Sequence, residues 1–314
     1  MTADRTALTT RPPSQIATGL EGLVERIEGS RALGTWGDAV HPVVSKLLGT
    51  GRRLELLTGR WLGHPVHPMA VIVPMGCRLS ATLLDFVGPP AARPAARRLI
   101  GLGLLGAGPA LASGAADWRD TADAERRIGV VHAVANNVAV AGYALSWLAR
   151  RSGSASVGRA TGLAAATILG IGGYLGGHLA YRRGVGINTT AFEAGPTDWT
   201  DIAGLDDIPV DEPTAVVSDD VVLMVLRRDG QIYVMEDRCT HRGGPLHEGR
   251  LERSCIVCPW HDSAFDLATG AVRQGPATMP QPVYDVRVAD GRIAVRRTEQ
   301  GSLRLNPVAP SAVE

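Results

Sequence analysis

Cys239-Thr240-His241-Arg242-Gly243-Gly244-Pro245-Leu246 and Cys258-Pro259-Trp260-His261-Asp262-Ser263-Ala264-Phe265 decide the reading of this 314-residue chain. Sixteen residues lie between the first Cys-x-His and the following Cys-x-x-His. Each segment offers one thiolate and one imidazole at a spacing that lets both reach inward. Together they supply two of each, enough for two sulfurs on one iron and two nitrogens on another. Two Cys and two His are also a tetrahedral zinc set, but zinc modules usually pair Cys with Cys and His with His, whereas each segment here is mixed.

Short alternating runs surround these segments, at 214–217, 221–227, 232–236, 264–267, 283–288 and 292–296. The pairs Asp229-Gly230, Thr269-Gly270 and Asp290-Gly291 separate or bound them, as hairpin turns do. The expectation is an antiparallel all-β head with both Cys/His segments in loops. Of four cysteines, Cys239, Cys255 and Cys258 fall within twenty residues, which suggests metal chemistry rather than a secreted disulfide framework. Cys255 reads as a buried structural thiol and His247 as a solvated loop residue.

With the Gly275-Pro276-Ala277-Thr278 run that follows, residues 197–297 closely resemble Rieske ferredoxin domains. The resemblance implies a 2Fe-2S cluster with Cys239 and Cys258 on one iron and His241 and His261 on the other. The quinol-oxidising branch of that family has Cys where Gly244 and Trp260 stand, forming a disulfide that shields the cluster, and Tyr where Phe265 stands. Ser263 matches its cluster-contacting Ser, and Asp262 stands where Gly is usual. Because hydrogen bonds to cluster sulfurs tune the potential, keeping Ser263 without the Tyr hydroxyl is expected to place this cluster below that branch.

Upstream the composition changes. Residues 1–196 hold 20 basic and 12 acidic side chains, against 11 and 17 in 197–297, so a basic apolar half joins an acidic polar one. Nucleic-acid binding has no support. Four apolar stretches, 69–87, 99–116, 128–148 and 161–181, match the length that a hydrocarbon core of about 30 Å requires. Arginines occupy their connections, and 99–116 carries no charge at all. The expected fold class is therefore α plus all-β: a four-helix transmembrane bundle followed by an antiparallel β Rieske domain.

Small residues Gly162, Ala166 and Gly170, then Gly173 and Gly177, are expected to let helices approach closely. Arg78, at mid-membrane depth, is expected to face the interior and meet Asn136 or Asn137. Residues 1–62 hold amphipathic stretches at 15–28 and 43–57, expected to lie on the membrane or cap the bundle. Met1 to Glu28 has no apolar core behind a basic start, so insertion is expected through the internal helices.

Gly63-His64-Pro65-Val66-His67-Pro68-Met69, Gly114-Ala115-Ala116-Asp117-Trp118 and Gly177-His178-Leu179-Ala180-Tyr181-Arg182 resemble an uncharacterised bacterial four-helix membrane family over about 60–187. The expected organisation is an N-terminal region 1–62, a membrane domain 63–187, a linker 188–197, a Rieske domain 198–297 and a tail 298–314. An even number of spans puts both termini on one side, and nine basic residues there against six opposite favour a head on the cytoplasmic side of a bacterial membrane.

His67, His132 and His178 begin or end spans on that same side, and are candidate positions for haem b or a quinone pocket; interfacial histidines bonded to headgroups or loop carbonyls are the plainer reading. The functional expectation is one-electron transfer with a redox partner protein or a quinone, in contact with membrane lipids. The alternatives are a redox sensor or assembly module anchored by the bundle, or an oxygenase electron-transfer component. A self-contained oxygenase needs a further iron domain, and only 17 residues follow Arg297.

Overall fold

The computed structural model describes residues 15–298. Its helices are α1 (Gln15–Glu28), α2 (Arg31–Leu48), α3 (Arg52–Thr58), α4 (His67–Ala70), α5 (Ile72–Val87), α6 (Arg93–Arg119), α7 (Asp123–Arg151) and α8 (Ala155–Gly177), the last running into a π-helical turn at His178–Arg182. Among the described residues, four helical segments are long and apolar enough to cross a membrane: His67–Val87, Pro90–Arg119, Asp123–Arg151 and Ala155–Arg182. They overrun the apolar stretches because the flanking arginines remain helical. Asp123 and Glu125 in the first turn of α7, with Arg150 and Arg151 in its last, suit the helix dipole.

Glycine sets how closely α7 and α8 pack. A Cβ on Gly142 would lie 2.9 Å from the Ala165 Cβ, and one on Gly162 would lie 3.1 Å from Ser146 Oγ. The buried seam of α8 runs through Gly158, Gly162, Ala165, Leu169, Gly172 and Leu175. Only Gly162 of the expected small residues belongs to it, since Gly170 and Gly173 face outward with open space beside them. Spacing alone finds a small-residue stripe; the neighbouring helix selects the buried one.

Arg78 is buried, as expected, with a different partner. Its Nη2 donates to the Gly103 carbonyl at 3.0 Å, and the guanidinium lies 5.6 Å from the Tyr143 ring centroid. Asn136 and Asn137 instead donate to carbonyls one turn back, those of His132 and Ala133. Near the opposite end of the bundle Asp85 and Arg150 form a bidentate pair.

Helix α1 has the predicted extent and caps the bundle, with Val24 and Ile27 packed on Ile128 and Leu175. The stretch 43–57 is not one helix, because Gly49 and Gly51 adopt positive φ and separate α2 from α3. Arg126 pairs with Asp38, and Arg127 Nε donates to the Glu28 carbonyl, tying the α6–α7 turn to the N-terminal helices.

The head has three antiparallel sheets. They are built from β1 (Thr200–Gly204), β2 (Thr214–Ser218), β3 (Val221–Arg228), β4 (Gln231–Glu236), β5 (Arg250–Glu252), β6 (Cys255–Val257), β7 (Ala264–Asp266), β8 (Val272–Gln274), β9 (Tyr284–Ala289) and β10 (Arg292–Arg297). Their orders are β1-β10-β9, β2-β3-β4 and β5-β6-β7-β8. Asp229-Gly230 and Asp290-Gly291 turn their hairpins with positive φ at both residues. Strands β1, β5, β6 and β8 are absent from the sequence reading, since they are short and lack clean alternation. One core lies among Ile208, Leu223, Val225, Ile232, Val234, Tyr284, Ile293 and Val295; the other, around Met224, Met235, Leu246, Ile256, Phe265 and Leu267, includes Cys239 and Cys258.

Candidate metal centre

The first Cys/His segment lies between β4 and β5 and the second between β6 and β7, and local hydrogen bonds shape each into a tight loop. The Cys239 N–H donates to the Gly244 carbonyl, and the Gly243 N–H to the Cys239 carbonyl. The Cys258 N–H donates to the Ser263 carbonyl, and the Asp262 N–H to the Cys258 carbonyl. Gly243 (φ 75°) and Asp262 (φ 59°) take equivalent left-handed positions. This explains Asp at a position where Gly is usual: Asp tolerates that conformation better than most residues, and its carboxylate accepts from Arg250 Nη1 at 2.8 Å.

The two loops bring Cys239, His241, Cys258 and His261 together. The two thiols hydrogen-bond to each other, and the imidazole centroids lie 5.2 Å apart, edge to face. Backbone amides of His241 and Arg242 donate to the Cys239 sulfur, and those of Trp260 and His261 to the Cys258 sulfur. The bond from Cys239 holds Cys258 down at about 7, while the same bond and burial push Cys239 well up. Burial depresses both imidazoles, His241 to about 3 and His261 to about 4, so both rings are neutral at physiological pH.

One detail tests whether the set suits a metal cluster. Nδ1 of His241 and Nδ1 of His261 are both buried without a hydrogen-bond partner. A buried unpartnered acceptor is costly unless something binds it. Two neutral imidazoles with free Nδ1 lone pairs, beside two paired sulfurs and their amide donors, fit a [2Fe-2S] cluster.

Supporting residues include several that sequence reasoning missed. Gln281, 2% exposed, donates from Nε2 to the carbonyls of Glu236 and Arg238 and accepts at Oε1 from the Thr240 N–H, while Thr240 Oγ1 donates to the Met279 carbonyl. Ser263, fully buried, accepts at Oγ from the Ala277 N–H at 3.0 Å. Gly244 packs under Trp260, so a Cβ there would lie 2.8 Å from Cys258 Sγ. His247 is not merely solvated: its Nδ1 lies 2.7 Å from the Asp237 carboxylate. Cys255 is half-buried rather than buried.

The membrane domain covers the histidine edge. Nε2 of His241 lies 3.6 Å from Asp120 Oδ2, Arg242 pairs with Glu125, and Thr189 Oγ1 donates to the Cys239 carbonyl. Burial pushes the Asp120 carboxyl up to about 6. Nothing in the sequence marks Asp120 as part of this site.

The other candidate histidines have separate partners. His67 Nδ1 lies 3.0 Å from the Ala110 carbonyl, His132 Nδ1 lies 2.8 Å from the Gly172 carbonyl, and His178 Nε2 lies 3.3 Å from the Glu28 carboxylate. Two of the rings thus meet helix carbonyls and the third a carboxylate, each through one ring nitrogen.

The profile of the Rieske [2Fe-2S] domain matches residues 198–304, and that of a predicted membrane protein domain, DUF2231, matches 63–189. The chain is 35% identical over 103 residues to the anthranilate 1,2-dioxygenase ferredoxin subunit of Burkholderia cepacia, spanning 33% of this chain and 95% of that protein. A ferredoxin component of the naphthalene 1,2-dioxygenase/salicylate 5-hydroxylase systems of a Ralstonia species is 31% identical, covering 32% of this chain and 95% of its own length. Among solved structures, the ferredoxin of carbazole 1,9a-dioxygenase from Nocardioides aromaticivorans IC177 shares 32% identity over 32% of this chain and 98% of that one, with a TM-score of 0.31. The chain belongs to the Rieske [2Fe-2S] family, with its electron-transfer head joined to a DUF2231-type membrane domain.

Proposed function

We propose that this protein is a membrane-anchored one-electron carrier whose cluster is held by the Cys239 and Cys258 sulfurs on one iron and by Nδ1 of His241 and His261 on the other. The carrying observation is the pair of buried, unpartnered Nδ1 atoms beside the paired thiols. The bound cluster supplies a one-electron couple. The chain's own residues orient the imidazoles, direct four amide N–H groups at the sulfurs, and exclude water with Phe265, Leu246 and Ile256.

The relatives named as ferredoxin components of dioxygenase systems support a carrier role and a redox protein as partner. This reading draws on no quinone or haem at His67, His132 and His178, whose rings each bond a protein group through one nitrogen. We place the boundary between membrane domain and head in the segment 188–197, and the head on the cytoplasmic side from the arginine distribution.

Anaerobically purified full-length protein is expected to carry two irons and two labile sulfides per chain. Cys239→Ser or Cys258→Ser should abolish them, because a hydroxyl binds iron far more weakly than a thiolate. Stoichiometric zinc without iron would overturn the assignment.

A further inference from the structure

Histidine ligation through Nδ1 leaves Nε2 pointing away from the metal, and metal-bound imidazoles usually give that outer N–H to a carboxylate, a carbonyl or water. His241 Nε2 points out of the head. The group it meets belongs to the membrane domain: Asp120 Oδ2, 3.6 Å away, with the two side chains only 17% and 11% exposed.

The approach is built. Asp120 caps α6, its N–H bonded to the Trp118 carbonyl in the turn before α7. Glu125, in the first turn of α7, pairs with Arg242, the residue after His241. Thr189 clasps the first loop from the connecting segment, its N–H donating to the Thr240 carbonyl and its Oγ1 to the Cys239 carbonyl. A cavity of about 40 Å³ remains, lined from both sides by Asp117, Asp120, His241, Arg242 and Thr278, with room for a bridging water. The charged groups around the imidazole are thus Asp117, Arg119, Asp120 and Glu125 from the membrane domain and Arg242 from the head.

We propose that Asp120 is a positioning residue for the cluster: a carboxylate delivered by the membrane domain that holds the His241 ring through its outer nitrogen and lowers the reduction potential of the head. The inference rests on the Nδ1 ligation proposed above. A nearby negative charge opposes the added electron, and it strengthens the imidazole as a donor to the oxidised iron. The membrane domain is then part of the redox centre as well as an anchor.

The test uses the full-length protein in detergent, with potentiometric titration followed by EPR and resonance Raman of the iron–nitrogen modes. Asp120→Asn removes the charge at nearly constant shape. It should shift the reduction equilibrium about tenfold toward the reduced form, which is about 59 mV upward for one electron, and displace the iron–nitrogen band. Asp120→Glu should keep the wild-type potential, and Asp120→Ser is the second charge-removing variant should the Asn form lose its cluster. Glu125→Gln removes a carboxylate that meets Arg242 rather than His241, and should shift the potential by clearly less than Asp120→Asn does.

An intact cluster with unchanged potential in Asp120→Asn or Asp120→Ser would overturn the proposal. An equal shift in Glu125→Gln would also overturn it, by assigning the effect to docking of the head. A wild-type protein without iron would defeat the cluster assignment instead, a result read from metal content before any titration.

Discussion

Replacing Ser263 by Ala removes one oxygen from a site with no exposure, and the structure separates its two consequences. Ser263 Oγ accepts the Ala277 N–H at 3.0 Å, and Ala277 is itself 1% exposed. Losing that acceptor leaves a buried donor unpaired and should destabilise the head by about 1–3 kcal/mol. The Cys258 N–H bond to the Ser263 carbonyl is main-chain and survives, so the second loop keeps its shape.

The other consequence concerns the hydroxyl hydrogen. Among the described hydrogen bonds Ser263 Oγ is seen only as an acceptor, so its O–H remains available to a cluster sulfur. A hydrogen bond to a charged acceptor is worth about 1.5–3 kcal/mol. If roughly half of that distinguishes the reduced from the oxidised cluster, the potential should fall by about 30–65 mV, using about 59 mV per 1.4 kcal/mol for one electron. The assay is an EPR-monitored titration of the full-length variant, with iron content measured on the same sample and thermal loss of cluster absorbance for stability. A potential within about 10 mV of wild type at full iron content would show that the Ser263 hydroxyl does not bond the cluster.

Two further predictions follow from neighbouring contacts. Gly244→Ala places a Cβ 2.8 Å from Cys258 Sγ and 3.0 Å from the Trp260 ring, so cluster occupancy should fall sharply while the membrane helices keep their circular dichroism; full occupancy would show that the loops can spread. Glu236 is wholly buried, and burial pushes its carboxyl up to about 7 against an unperturbed 4.5, despite Arg297 at 3.6 Å and the Tyr284 hydroxyl at 3.3 Å. Between pH 4.5 and 7 the unfolded chain ionises this group and the folded chain does not, so its contribution to stability declines as pH rises through that window, by at most about 3 kcal/mol. Glu236→Gln should therefore match wild type near pH 4.5 and denature at higher denaturant concentration near pH 7.5; a gap independent of pH would contradict this.

Much of the architecture was legible because its causes are local. A charge-free run such as 99–116 is read from composition, and arginines at the ends of apolar stretches mark where a helix meets polar surroundings. Asp-Gly pairs announce hairpins because few residues other than Gly, Asp and Asn accept positive φ. The Cys/His segments are legible for a similar reason: two mixed thiolate-imidazole loops flanked by alternating runs have few uses. The short strands β5, β6 and β8 were not legible, since three residues carry no period and only pairing in register makes them strands.

Local pattern in the residues thus carries the membrane half, the β head and the two Cys/His segments. Tertiary structure alone decided which small residues of α8 are buried, that Arg78 rests on Gly103 and Tyr143, that Gln281 braces the first loop, and that Asp120 meets His241. The Arg78–Gly103, Gln281–Thr240 and Asp120–His241 contacts join residues between 25 and 121 positions apart, and each depends on how packed elements meet. Backbone propensity and hydrophobic period act over a few residues, whereas the environment of a buried polar group is set by whatever the rest of the chain brings against it.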